Sequence, residues 1–203
     1  MYISAQDRER ISSAIRAAEA MTSGEIVCVL AEASSDTTAL PVLIAAVAAL
    51  ALPWLLIPFT AMTVHQILLL QIALFFVLLV ILCSPRVRVA LIPRKARRAM
   101  AYRVAMEQFI ARGLARKKGP SGILIFASLA EHYARIIAND RIAARVPHSA
   151  WQAAVDALVA CAREDRIADG FIAAINLCGH ELARYFPRTE TSRNELPDQI
   201  YLI

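Results

Sequence analysis

Apolar residues fill nearly every position from Leu40 to Phe59 and again from Val64 to Cys83, and no Asp, Glu, Lys or Arg falls between Asp36 and Arg86. Each run approaches the ~20 residues a helix needs to cross a hydrocarbon core. Only Thr60–Thr63 separates them. The pattern therefore predicts a transmembrane hairpin over 37–85, with helices at about 40–59 and 64–83.

Elsewhere the periods are those of a domain in water. Ile11, Ile15, Ala18 and Met21 recur at helical spacing behind a Ser4–Asp7 capping arrangement, and Thr22-Ser23-Gly24 ends that helix. Glu25–Ala31 (EIVCVLA) is a β-branched run that predicts a buried strand. After the hairpin, a helix over Arg94–Arg116 offers Val104, Phe109, Ile110 and Leu114 to a core, with Gly113 bending or capping its end. The turn Lys118-Gly119-Pro120-Ser121-Gly122 leads to a second buried strand, Ile123–Leu129. Tyr133–Asn139 alternates between two faces as its hairpin partner. Pro147-His148-Ser149 opens a helix, with Ser149 as N-cap and Gln152 at the capping-box position. Asp169-Gly170 opens another that carries Phe171, Ile175, Cys178 and Leu182, and Ile200–Ile203 is a short apolar tail.

Strands separated by helices predict an α/β layered sandwich with a small central mixed sheet, interrupted by the two-helix hairpin. Strands one and two are expected to be parallel, with the hairpin inserted in the crossover between them. Residues 1–36 supply the first helix and strand, 37–85 the hairpin, and 86–203 the remainder. The first 36 residues are too few to bury a core alone. Joined to the last part they make a domain of about 150 residues, which is enough.

Composition agrees with a membrane segment: 58% of the 203 residues are hydrophobic, with a mean hydropathy of +0.51. Charge sets the orientation. Segment 86–118 holds eleven basic residues and the single acid Glu107, whereas the 36 residues before the hairpin hold three Arg and six acids. The positive-inside rule then places the C-terminal part in the cytoplasm, and a hairpin returns the N-terminal part to the same side. Arg86, Arg88, Arg94, Lys95, Arg97 and Arg98 are the expected topology and headgroup residues. The lipid bilayer is thus an expected partner. A nucleic acid is not, because no nucleic-acid fold signature is present and aromatics are sparse beside these charges. Met1–Met21 carries Asp7, Arg8, Glu9 and Arg10 where a secretory signal would need an apolar stretch, so none is expected. Cys28, Cys83, Cys161 and Cys178 have no CxxC or zinc spacing and read as reduced thiols.

Candidate chemistry is sparse. Asp36, Glu131 and Asp140 follow the three strands. Parallel strands would bring Asp36 and Glu131 to one sheet edge, where two carboxylates are a start towards Ca²⁺ or Mg²⁺. Asp140 is expected at the opposite edge. All three read first as solvated loop acids. His132, His148 and His180 lack ligand spacing, and His65 lies in the second apolar run with Gln66 and Gln71. Ser34, Ser35 and Ser128 lack a nucleophile-elbow context, and no Gly-rich phosphate loop occurs.

The stretch Met21–Asp36 (MTSGEIVCVLAEASSD), with Phe109–Leu114, Gly122–Asp140 (GILIFASLAEHYARIIAND), Trp151, Gly170–Ile175 and Asn194–Asp198 (NELPD), resembles the TPM domain family, specifically a bacterial subgroup with an inserted transmembrane hairpin. Order and spacing of these segments carry the match. The resemblance implies an α/β sandwich. It also implies either an accessory or assembly factor for membrane complexes or a weak acid phosphatase or calcium binder. Where many members carry an acidic pair followed by Arg between strands two and three, this chain reads Leu129-Ala130-Glu131-His132, with one carboxylate.

The expectation is a multi-pass protein of a bacterial inner membrane, with both termini cytoplasmic and no cofactor beyond a speculative Ca²⁺ or Mg²⁺. Its domain would bind a membrane protein partner or the lipid surface as an accessory or assembly-type protein. About eight residues join the carboxyl end of the first strand to the membrane, so that edge is expected to face the bilayer. The alternative is a weak metal-dependent acid phosphatase acting through Asp36 and Glu131.

Overall fold

A computed structural model describes residues 3–33, 39–60, 62–84, 87, 93–115, 122–188 and 196–203. Asp36, Arg86, Arg88 and the turn at 118–121 lie outside these. The chain divides into two compact units, Met1–Ser34 with Arg98–Ile203, and Ser35–Arg97.

In the first unit α1 (Ala5–Glu19) starts at Ser4, whose hydroxyl accepts from the Asp7 N–H at 3.1 Å while the Asp7 carboxylate returns to the Ser4 backbone. That reciprocal pair satisfies two of the orphan donors of the first turn. β1 (Glu25–Ala31) and β2 (Gly122–Ser128) pair in parallel from Glu25↔Gly122 to Ala31↔Ser128. β3 (Tyr133–Ala138) runs antiparallel to β2. A short fourth strand, β4 (Ile200–Leu202), lies parallel to β1 on its other side, giving the order β3-β2-β1-β4. The apolar tail of the sequence is therefore a strand. Three residues are too few to show a period, and the unpaired edge of β1 is what makes them one.

Both faces of the central strands are buried, which is why β1 and β2 are continuous apolar runs. Ile26, Cys28, Leu30, Ile123 and Ile125 pack with α1, α6 (His148–Arg163) and α7 (Ile167–Tyr185). Val27, Val29, Leu124 and Phe126 pack on the other face against Ala101, Ala105 and Phe109 of α4 (Arg94–Ala111). The one-turn helix α5 (Asp140–Ala143) follows β3, capped by Asn139.

Four local expectations change. α4 ends at Ala111, five residues early, where Gly113 takes φ 77°, and Ile110 is 59% exposed and not in the core. α6 is capped by Pro147, so Ser149 sits inside the first turn and Gln152 donates to Asp156 at 2.9 Å. α7 begins at Ile167, because Ile167 and Ala168 are themselves buried. Met21 lies beyond α1 and is exposed, while Glu19 continues the Ile11–Ile15 stripe into the interior. All four cysteines are free, with Cys28 and Cys178 buried.

The second unit holds α2 (Ala39–Phe59) and α3 (Val64–Cys83), which pack against each other. Thr63 and Gln66 form a second capping box at the start of α3. Pro53 and Pro58 lie inside α2, and Pro53 cannot donate to the Ala49 carbonyl four residues back. Both helices are long and apolar enough to cross a membrane, and only 11% and 6% of their most hydrophobic windows is buried.

Candidate functional site

The two ends of the parallel strands each carry buried carboxylates, and they differ in chemistry. At the amino end, Glu19 closes α1, Glu25 opens β1, and Asp198 stands two residues before β4. Glu19 is turned inward by its place four residues after Ile15 and is 8% exposed. Its Oε1 accepts the Ile26 N–H at 2.7 Å. Burial, helped by the neighbouring Glu25 and Asp198, pushes the Glu19 carboxyl up to about 8 against the pull of that N–H. Glu19 is consequently a neutral acid at pH 7, able to donate its proton to Asp198. The Ser12 hydroxyl holds the Asp198 carbonyl, and Arg188 Nη1 holds the Glu19 carbonyl at 3.1 Å. Thr22 Oγ1 donates to the Phe186 carbonyl at 2.6 Å. The amino end is thus where the C-terminal segment is fastened to α1 and β1.

At the carboxyl end, Ser128 and Glu131 are both buried, and the Ser128 hydroxyl donates to Glu131. The Leu129 and Ala130 N–H groups donate to the Ala31 and Glu32 carbonyls at 3.0 and 3.1 Å, and Glu32 N–H donates to Ile203 at 2.9 Å. His132 takes φ 48° to complete the turn. Glu131 is therefore not the solvated loop acid expected from the sequence. The sheet end folds over it, and its carboxylate answers a hydroxyl. Asp140 is exposed at the opposite end, beside the Gly122 carbonyl that Asn139 N–H reaches at 3.1 Å, as an antiparallel β3 requires.

A calcium ion wants six to eight oxygens and magnesium a tight octahedron. Among the described residues no group of three or more His, Cys, Asp or Glu is placed to hold a metal ion. Glu131, engaged by Ser128, does not supply such a set.

The basic candidates lie in the first turns of α4. Arg94, Lys95 and Arg98 are exposed and Arg97 half-buried, with no acid in the first turn. None of the four makes an ion pair among the described residues. Positive charge at a helix N-terminus opposes the helix dipole by some tenths of a kcal/mol each, so these cations are not there to stabilise α4. Arg112, at the far end of the same basic stretch, has a different task. Its guanidinium stacks 3.3 Å over the Tyr201 ring and donates to Gln108 at 3.0 Å, beside a cleft of ≈ 270 Å³ lined with Val27, Gly113 and Leu196.

Two of these features escaped the sequence reading. Glu19 was legible in principle, as a carboxylate on the i, i+4 stripe of Ile11 and Ile15. The Arg112–Tyr201 stack joins residues 89 positions apart and left no local signal.

The architecture defines a mixed α/β protein with a small four-stranded sheet. No family model matches the chain, and no curated protein matches it. Among solved structures it is similar to the NMR structure of BA42 protein from the psychrophilic bacterium Bizionia argentinensis, with 18% identity over 100% of this chain and 96% of that one, at a TM-score of 0.61. At that identity the likeness concerns the fold alone.

Proposed function

We propose that the chain is a membrane-anchored accessory or assembly-type protein. α2 and α3 form a transmembrane hairpin, and the cytoplasmic α/β unit, of TPM type, binds a membrane protein partner or the lipid surface. The observation that carries this reading is the apolar surface of α2 and α3. Leu43, Leu50, Trp54, Leu55, Ile57 and Phe59 are exposed on α2 alone, with Trp54 at 84%. Soluble monomers rarely expose a contiguous apolar patch beyond a few hundred Å². At 1.5 Å per residue, 20 residues span about 30 Å, the thickness of a hydrocarbon core.

The cations of α4 support the same reading. Four positive charges at a helix N-terminus, without ion pairs among the described residues, gain where anionic headgroups or an acidic partner face them, at ~1 kcal/mol per residue near an anionic surface. Phosphatase chemistry has no comparable observation in its favour, since the one described carboxylate of that proposal, Glu131, is buried against Ser128.

Flotation of the full-length protein on vesicles and affinity purification from gently solubilised membranes test the reading together. The protein should float with vesicles at alkaline pH, and purification should recover a reproducible membrane protein or a preference for anionic lipid. Replacing Arg94, Lys95, Arg97 and Arg98 with Gln should weaken that anionic preference at least tenfold at low salt. Release from the membrane by alkaline carbonate, or the absence of both partner and lipid preference, would refute it.

A further inference from the structure

Gln71 is the eighth residue of α3. At 1.5 Å per residue it lies within about 4 Å of the middle of that helix. Its side chain is half-buried and makes no hydrogen bond among the described residues. It lines an open groove of ≈ 260 Å³ with Ala46, Ala49 and Leu50 of α2 and Phe75 and Phe76 of α3. Gln66, the other glutamine of the span, is accounted for by its cap on Thr63. Gln71 has no such task among the described residues.

Resting on the transmembrane reading above, we propose that this groove is where a second copy of the chain docks, with the two Gln71 amides hydrogen-bonded to each other across a two-fold axis normal to the membrane. Amide chemistry, symmetry and the shape of the groove select this occupant. A primary amide carries both donors and an acceptor, so it pairs with its own kind, whereas an ammonium or carboxylate needs an opposite partner. A two-fold axis along the membrane normal puts the same residue of both copies at the same depth and makes the contact isologous. The groove also supplies both halves of a packing contact. Its floor is small at Ala46 and Ala49, and Phe76 beside it is 58% exposed, so each copy offers a knob and a hollow. Small residues and interhelical amides are what hold helices together in lipid, where apolar surface alone drives no association.

The test is energy transfer between full-length copies labelled at the C-terminus with donor or acceptor and diluted into lipid vesicles. Carbonate resistance is measured on the same samples. Wild type should show transfer above random proximity that falls on dilution with lipid. Gln71→Leu, which inserts at least as readily, should dimerise about tenfold more weakly, and Gln71→Asn, which keeps the amide, should fall between. Random-level transfer in carbonate-resistant wild type, or equal dimerisation of wild type and Gln71→Leu, overturns the dimer while leaving the transmembrane reading intact. Release by carbonate overturns the transmembrane reading and this inference with it.

Discussion

Replacing Glu19 with Gln should make the α/β unit more stable in alkali and leave it nearly unchanged in acid. In the folded chain the Glu19 carboxyl titrates at about 8 against an ordinary value of 4.5, chiefly because it is buried. A raised carboxyl binds its proton more tightly when folded. Its contribution to stability is therefore complete below about pH 4.5, declines between 4.5 and 8, and is gone above 8. At 1.36 kcal/mol per pH unit, that interval corresponds to as much as about 5 kcal/mol between pH 4 and pH 9. Glutamine keeps the oxygen that accepts the Ile26 N–H, offers an N–H towards Asp198, and never ionises. Urea unfolding in mild detergent reads the difference through the fluorescence of Trp151, which is buried against the sheet, in a Trp54→Phe background. With a slope near 2 kcal/mol per M, the variant should gain roughly 2 M in midpoint over its parent at pH 9 and lie within about 0.5 M of it at pH 5. Parallel profiles for the two proteins across this range would refute a neutral, proton-donating Glu19.

Two further perturbations probe the packing that holds the C-terminal half to α1 and β1. A Cβ at Gly179 of α7 would lie 2.8 Å from the Ala18 Cβ of α1, so Gly179→Ala should cost about 1–3 kcal/mol in the same unfolding assay. Adding Ala18→Gly should restore at least half of that loss, and a double mutant no better than the single would show that the two helices do not meet there. Ile200→Ala removes a buried side chain of β4 paired opposite Cys28 and should cost about 2–4 kcal/mol. Hydrogen exchange should then rise first along the β4 edge of β1, and unchanged protection at Leu30 and Glu32 would argue against the strand.

The basic cluster illustrates how charge and geometry divide. Its eleven cations in one segment were plain from the sequence, but the fold separates them by use. Arg94, Lys95, Arg97 and Arg98 stand at the start of α4 without ion pairs among the described residues, while Arg112 covers Tyr201 of β4. The carboxylates divide in the same way. Glu131 looked like a loop acid because its neighbours in sequence are turn residues, yet the backbone hydrogen bonds to Ala31 and Glu32 fold that turn over it. No nearest-neighbour pattern encodes that, because β1 and β2 are joined through the ninety residues 32–121.

Sequence alone determined the period of each long element: the apolar lengths of α2 and α3, the unbroken β-branched runs of β1 and β2, the alternation of β3, and the Ser4–Asp7 cap. These follow from interactions within a turn or a strand, where spacing in sequence is spacing in space. Tertiary structure decided everything whose partner is remote. It made a strand of Ile200–Leu202 by offering the free edge of β1, moved the start of α7 to Ile167 by burying it, and turned Glu19 from a helix-end charge into a neutral acid chiefly by burying it, with Glu25 and Asp198 beside it. Burial and long-range charge are properties of the assembled core, so they exist only once the chain has folded around them.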